Sequence, residues 1–410
     1  MHAGLQDGPP FSIPQCCALG NDSAMNSTSP PAKSQGVKKP SRGSKNPYPA
    51  HSPRFWHGMT WGAWLALIFR HRLRIHPVRW PMAFLITLIT PFNTVVGGLQ
   101  TLIYGRRIGE TEFTEPPVFI IGHWRSGTTL LHELMSLDDR FGSPSTYQCF
   151  APKHFLLTEW FMTRFMGWLV PKQRPMDNMA AGWAKPQEDE FALLTLNAPT
   201  PYFRMAFPND PPPYMELLNM QGVSERDLTR FEHAIVGFAQ AITYRYGKRL
   251  LFKSPPHTGR VETLSRLFPG AKFIHITRNP YEIYSSTVKL WESLDDVQGL
   301  QRPRHEYLNE YVFECFERMY AGFEDQRTRL PAGHVVDLAY EDLVADPIKH
   351  VERIYSTLAL GDFEPLRSKL EAFVASQKDY QTNRHQVEPA LREQIHSRWS
   401  RYFERYGYAP

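Results

Sequence analysis

Val118-Phe-Ile-Ile-Gly-His-Trp-Arg-Ser-Gly-Thr-Thr-Leu-Leu131 is the stretch whose reading decides the fold. Four apolar residues, Val118 to Ile121, run into a glycine-containing polar loop, after which Leu130, Leu131 and Leu134 open an apolar helix face. The pattern predicts a buried strand, a phosphate-type loop and a helix start. The spacing Gly122-x-x-x-x-Gly127-Thr128-Thr129 matches the triphosphatase loop G-x-x-x-x-G-K-[ST] except at one position. Thr128 stands where the lysine belongs, and the cation sits earlier, at Arg125. Backbone amides at a helix N-terminus still favour a phosphate ester. Without the lysine the loop is poorly equipped to pull on a γ-phosphate, so the expected ligand is a phosphate ester whose transferred group is something else.

Working outward, short apolar runs recur at 250–252, 273–276 and 335–338, each followed by a helical pattern around 261–267, 282–290 and 348–358. Strands this short and apolar are expected where both sheet faces are covered. Repeated β-α units predict an α/β fold, with a parallel central sheet and the ligand at the carboxyl ends of the strands. The expected organisation is a tail over 1–53, an apolar helical and membrane-associating region over 54–112, and a catalytic domain over 113–410. That domain carries a Pro-, Met- and aromatic-rich insertion at about 140–245 that would shape an acceptor pocket.

Composition narrows the function classes. A net charge of +5 over 410 residues suits an anionic small ligand or a membrane surface and falls well short of a nucleic-acid-binding signature. Cys16, Cys17, Cys149 and Cys315 show no metal-ligand spacing, so no metal site is expected. The tail, rich in Pro, Ser, Gly and Lys, lacks an apolar period. From Phe55 the character changes: an aromatic-rich run is followed by Arg70, Arg72, Arg74 and Arg79, and Trp80 to Tyr104 then carries no charge. Three readings stay open there. One is a transmembrane span at 80–104, weakened by Pro81, Pro91, Asn93, Gly97 and Gly98. The second, favoured over the span, is an interfacial hairpin with arginines at headgroup level. The third is a helical layer packed on the catalytic domain. The expected location is cytoplasmic and membrane-associated.

A second anchor is Phe273-Ile-His-Ile-Thr-Arg278-Asn-Pro-Tyr-Glu-Ile-Tyr-Ser-Ser286. A buried strand ends at Arg278, Pro280 starts a helix, and Ser286 sits two turns in, so both side chains can converge on one anion. Alone, an arginine after a strand is more often a structural ion pair; beside the first loop, a second phosphate site explains it. Together, RSGTT and RNPYEIYSS resemble the two cofactor motifs of the sulfotransferases that use 3′-phosphoadenosine 5′-phosphosulfate (PAPS). LFKSPPH, FPGAKFIHITRNP and the terminal RYFERYGY are similar to the bacterial-type members of that superfamily, over roughly Phe55 to Tyr408. The resemblance implies a P-loop-like three-layer fold. It implies Arg125, Ser126, Gly127, Thr128 and Thr129 around the 5′-phosphosulfate, and Arg278 with Ser286 at the 3′-phosphate.

Sulfuryl transfer is an in-line displacement, so the protein positions the reactants and neutralises charge on the leaving oxygen, a task for Arg125 and Lys253. The acceptor hydroxyl (an amine is the secondary class) needs a base. One candidate set is Glu188-Asp189-Glu190, which equally reads as acids complementing a helix dipole. On a helical wheel Glu190 falls near the centre of the apolar face and Glu188 opposite it. The other candidate is His257, four residues after Lys253. The cytosolic sulfotransferases carry Lys-x-His, and here two prolines lengthen that spacing to Lys-x-x-x-His. The acceptor class expected is a small molecule or lipid. A P-loop kinase, disfavoured by Thr128, and an inert membrane-associated scaffold remain the rival readings.

Overall fold

A computed structural model describes residues 48–49, 51–171, 181–376 and 387–410. The expected tail lies outside the described residues up to position 47, with Cys16 and Cys17. From Tyr48 the chain is fixed to the body. The Tyr48 hydroxyl donates to Pro53 O at 2.9 Å, and Arg54 lies over the Tyr48 ring and donates to Val297 O at 2.8 Å.

The elements run α1 (Trp61–Arg70), α2 (Trp80–Gly109), β1 (Val118–Ile121), α3 (Thr128–Met135), β2 (Phe141–Gly142), α4 (Thr146–Phe150), α5 (Phe155–Phe165) and α6 (Asp189–Thr195). They continue with α7 (Glu225–Tyr246), β3 (Arg249–Lys253), α8 (Val261–Leu267), β4 (Lys272–Thr277), α9 (Pro280–Gln298), α10 (Leu308–Gln326) and β5 (Val335–Ala339). The last are α11 (Tyr340–Ala345), α12 (Pro347–Leu358), α13 (Glu364–Ser376) and α14 (Pro389–Tyr406).

The five strands form one parallel sheet in the order β2-β3-β1-β4-β5. All four strands read from the sequence are present, and the edge strand β2 is an addition. β1 is wholly buried because alternate side chains serve two cores. Val118 and Ile120 join the side built with α3, α12 and α13; Phe119 and Ile121 join the side built with α7, α8, α9 and α10. The result is a three-layer α/β fold with a central parallel sheet. Because β1 is flanked by β3 and β4, the carboxyl ends of these three strands lie side by side, the usual ligand position in such sheets.

Helices α1 and α2 form an antiparallel hairpin against this body. Trp61 N donates to Thr94 Oγ1 and Trp64 Nε1 to Thr87 Oγ1, both at 2.8 Å. Pro91 does not interrupt α2. Proline cannot bond the carbonyl four residues back, and the Thr90 hydroxyl reaches that carbonyl, Thr87 O, at 3.5 Å. The 3-10 turn Phe55–Gly58 is wedged between α2 and α6: Asn93 Nδ2 bonds His57 O and Met59 O, and Phe55 stacks on Phe191 at 4.0 Å.

Candidate active site

The loop after β1 turns on two glycines. Gly122 has φ +143, and a Cβ there would meet Ile276 O at 2.5 Å; Gly127 has φ +104, and a Cβ would meet the Tyr340 ring at 2.3 Å. Gly127 is also the N-cap of α3, whose first-turn amides have no intrahelical carbonyl to bond. Ser126 Oγ is buried with no hydrogen-bond partner among the described residues. Thr128 is buried and Thr129 half-buried at the start of α3. Arg125 takes a left-handed φ of 69°.

The two sequence motifs meet at this loop. Arg278 Nη1 donates to Arg125 O at 2.9 Å, a bond between residues 153 positions apart. The Arg278 guanidinium also lies 4.4 Å over the ring of Tyr340, which packs against Gly127. The Tyr402 hydroxyl of α14 bonds the Arg278 backbone at 3.1 Å. Arg398 on α14 is held by Glu310 and Glu317 and serves docking. Ser286 is buried on α9, and its hydroxyl donates to Glu282 O.

Beside the loop, three consecutive acids meet Lys253, the last residue of β3, and His257 and Arg260 beyond it. Lys253 Nζ donates to Glu188 Oε1 at 2.7 Å. His257 Nε2 lies 2.6 Å from Asp189 Oδ2, and Ser254 Oγ donates to Asp189 Oδ1 at 2.8 Å. Arg260 bonds both oxygens of Glu190 at 2.7 and 3.1 Å, and the Thr200 hydroxyl adds a third bond at 2.6 Å. These rungs clamp the N-terminus of α6 to the carboxyl end of β3. Lys253 pairs in register with Ile120 of β1, so the first rung stands beside the loop.

The rungs differ in access. His257, Asp189, Glu190 and Arg260 are fully buried and mutually satisfied, whereas the Glu188 side chain keeps 12% exposure. Glu190 points inward as its wheel position suggests. Glu188 does not point away. It is the N-cap of α6 with extended backbone (φ −70, ψ 125), so the helical wheel does not apply to it. Its second oxygen accepts from the Tyr202 hydroxyl at 2.5 Å, and Tyr202 in turn accepts from Trp124 Nε1 at 2.8 Å.

Electrostatics follow from burial. Burial raises the Asp189 carboxyl, but the charge of His257 and the bonds from His257 and Ser254 outweigh it and hold the group below the usual range. Burial, with the Glu188 charge beside it, pushes the Tyr202 phenol well above its ordinary value, so it stays a donor. Burial and the Lys253 charge lower His132 to about 3.

Thr200, Tyr202 and Arg260 are additions to the residues read from the sequence, and Asp189, read there as one of three adjacent acids, is the partner of His257 and Ser254. The available signal is the match of three adjacent acids to basic residues spaced at 253, 257 and 260.

A model of the sulfotransferase family matches residues 116–365. Proteins of Mycobacterium bovis and Mycobacterium tuberculosis, both named omega-hydroxy-beta-dihydromenaquinone-9 sulfotransferase Stf3, are 40% identical over 353 residues, 86% of this chain and 91% of theirs. Among solved structures, sulfotransferase STF9 of Mycobacterium avium superposes with a TM-score of 0.60 at 17% identity, covering 85% of this chain and 96% of its own. Sulfotransferase STF1 of Mycobacterium tuberculosis superposes at 0.57 and 17%, covering 83% and 90%. Both likenesses bear on the fold.

Proposed function

The chain belongs to the sulfotransferase family and is a sulfotransferase; from that premise we propose that it moves the sulfuryl group of PAPS to the hydroxyl of an apolar, lipid-like acceptor, with Glu188 as the base. The observation that carries this reading is the Glu188–Lys253 pair at the edge of the phosphate loop, the least buried of the three rungs.

The residues present fit the donor. Ser126 Oγ is a buried hydroxyl awaiting a partner, the loop amides at α3 suit an anion, and Arg278 brings a second cation to the same loop. Arg125, Ser126, Gly127, Thr128 and Thr129 would hold the 5′ end, and Arg278 with Ser286 the 3′-phosphate. When bound, the donor supplies an activated sulfuryl group on a phosphate leaving group. The new bond joins the acceptor oxygen to sulfur as the sulfur–phosphate oxygen bond breaks, and the hydroxyl proton is left for a base.

Glu188 is suited to take it. Each of its oxygens accepts one bond, from Lys253 or Tyr202, and keeps a lone pair. Lys253 and Arg125 supply positive charge where the leaving oxygen develops its own. Glu190 and His257, the other candidates for the base, are enclosed by Arg260 and Asp189 and act as fixed supports of α6.

Aromatic rings surround Tyr202, the partner of Glu188: it lies 5.0 Å from Phe191, 6.2 Å from Trp124 and 6.0 Å from Trp291. Such a wall suits an apolar acceptor that presents one polar end. The relatives' names specify an omega-hydroxylated menaquinone derivative, which is of that class. The test is transfer of labelled sulfate from PAPS into a lipid and metabolite extract. Label in a hydroxylated lipid is expected, whereas label confined to water-soluble sugars would reject the acceptor class. Tighter binding of ATP–Mg than of adenosine 3′,5′-bisphosphate would reject the donor.

A further inference from the structure

Helix α2 is built inside out for a helix on the surface of a water-soluble body. Its buried positions are Ala83, Ile86, Thr90, Asn93, Gly97 and Gln100, a strict three-four spacing that includes Asn93 and Gln100, the most polar side chains between Trp80 and Gly105. Both bond the body: Asn93 Nδ2 bonds two carbonyls of the Phe55–Gly58 turn and its exit, and Gln100 Oε1 accepts from Leu156 N at 2.8 Å. The opposite face carries Phe84, Leu88, Phe92, Val95, Leu99 and Leu102, exposed by between 47% and 83%. A helix between water and a core has the reverse arrangement. At 1.5 Å per residue this ridge follows a helix about 45 Å long, far more than the isolated apolar residues of ordinary surfaces.

A second element extends the ridge. Phe92 lies 6.3 Å from His154, the N-cap of α5, and α5 and the turn after it expose Trp160 (74%), Phe165 (52%) and Trp168 (65%). Charge marks the partner. From Arg54 to Gly109 the chain has no Asp or Glu and seven arginines, six of them at the ends of the hairpin helices: Arg70, Arg72, Arg74 and Arg79 at one end, Arg106 and Arg107 at the other. Exposed Trp61 and Trp80 sit near the helix starts. Apolar ridge, interfacial tryptophans and arginines at the rim match the layers of an anionic leaflet.

Length and composition would let this helix cross a bilayer, but its packing argues for lying along the surface. Its inner face is bonded to the catalytic body from Ala83 to Gln100, and a crossing would carry Asn93 and Gln100 with their partners into hydrocarbon. We propose that the outer face of α2, with the end of α5, is a docking surface that enters one leaflet of an anionic membrane and leaves the catalytic domain on one side of it. This deepens the lipid-acceptor reading and rests on it for its purpose. The Phe55–Gly58 turn alone separates α2 from α6, which carries Glu188 at its N-cap.

The test is flotation of the full chain with vesicles of phosphatidylcholine alone or mixed with phosphatidylglycerol. It reads binding independently of turnover, so its failure is distinct from failure of the lipid-acceptor reading. The chain should float with the mixed vesicles, and brominated acyl chains should quench its tryptophan fluorescence. Combined Phe84→Ser, Leu88→Ser and Val95→Ser, all at exposed positions, should lower partition on the order of tenfold or more. Retained binding of adenosine 3′,5′-bisphosphate is the control for folding. Arg72→Gln with Arg107→Gln should weaken binding to the mixed vesicles and leave phosphatidylcholine binding unchanged. Three outcomes would overturn the proposal: no flotation and no quenching, a dimer in free solution that the three serine substitutions abolish, or protease accessibility from both sides of sealed vesicles.

Discussion

Lys253 Nζ lies 2.7 Å from Glu188 Oε1, tying the carboxyl end of β3 to the N-cap of α6 across 65 residues of chain. Neither neighbouring rung offers its carboxylate to solvent. If Glu188 takes the acceptor proton, Glu188→Gln should lower kcat by roughly 10²- to 10⁴-fold, the usual worth of a positioned base. The variant keeps the bond from Lys253, so affinity for adenosine 3′,5′-bisphosphate should be unchanged within about threefold, a shift below roughly 0.7 kcal/mol. Full turnover by this variant would move the base elsewhere.

The Glu190 rung should behave oppositely. Glu190→Gln leaves the buried Arg260 guanidinium without its counter-charge, which typically costs about 3–5 kcal/mol. The loss should appear in urea unfolding, whereas kcat per folded molecule holds near wild type. Adding Arg260→Met should recover much of the stability, since replacing both partners removes the stranded charge. A kcat loss matching that of Glu188→Gln, with stability intact, would instead place Glu190 in the chemistry.

What was legible in the sequence divides along local and tertiary lines. β1, β3, β4 and β5 announce themselves as apolar runs because each is buried on both faces, whereas β2 is two residues, Phe141 and Gly142, recognisable only by its pairing with β3. The approach of Arg278 to the loop is readable because it directly follows β4 and the loop directly follows β1, neighbours in one parallel sheet. The roles of the three acids were not. The helical wheel placed Glu190 well but failed for Glu188, whose extended backbone puts it before the helix. Arg260 and Tyr202 gave no local signal, since their partners lie 70 and 14 residues away.

Arg278 should discriminate for the 3′-phosphate. A hydrogen bond to a charged group is worth about 1.5–3 kcal/mol, so Arg278→Ala should reduce the preference for adenosine 3′,5′-bisphosphate over the 5′-monophosphate by roughly 10- to 150-fold. Arg278→Lys should restore only part of it, because a lysine lacks the planar fork. Calorimetric titration with both nucleotides reads the ratio. An equal loss for both would mean that Arg278 acts only through its bond to Arg125 O.

Four buried histidines set an acid limit on the fold. Burial lowers His57 and His154 to about 4, and His123 and His132 to about 3, from an ordinary value of 6.5. A folded-state value below the unfolded one means that the unfolded chain binds more protons in between. The stability these neutral rings contribute is therefore present above pH 6.5 and is lost as pH falls toward 3–4. Each ring withdraws at most roughly 1.4 kcal/mol per pH unit in that window. Urea midpoints should hold steady from pH 8 to 7 and fall steeply between 6 and 4.5, with net proton uptake on unfolding. Midpoints that stay level down to pH 4.5 would contradict the burial of these rings.

Tyr202 offers a test of Glu188 that its own removal cannot. The phenol donates to Glu188 Oε2 and receives the Trp124 indole, so it positions the carboxylate without being the base. A hydrogen bond to a charged group is worth about 1.5–3 kcal/mol, so Tyr202→Phe should lower kcat by roughly 10- to 150-fold. Introduced into Glu188→Gln, the same change should cost little more, because its effect passes through the carboxylate already removed. A role confined to packing, with the ring kept against Phe191 and Trp291, would leave kcat of Tyr202→Phe near wild type. Losses that multiply in the double variant, with binding of adenosine 3′,5′-bisphosphate intact, would show that Tyr202 acts outside this pair.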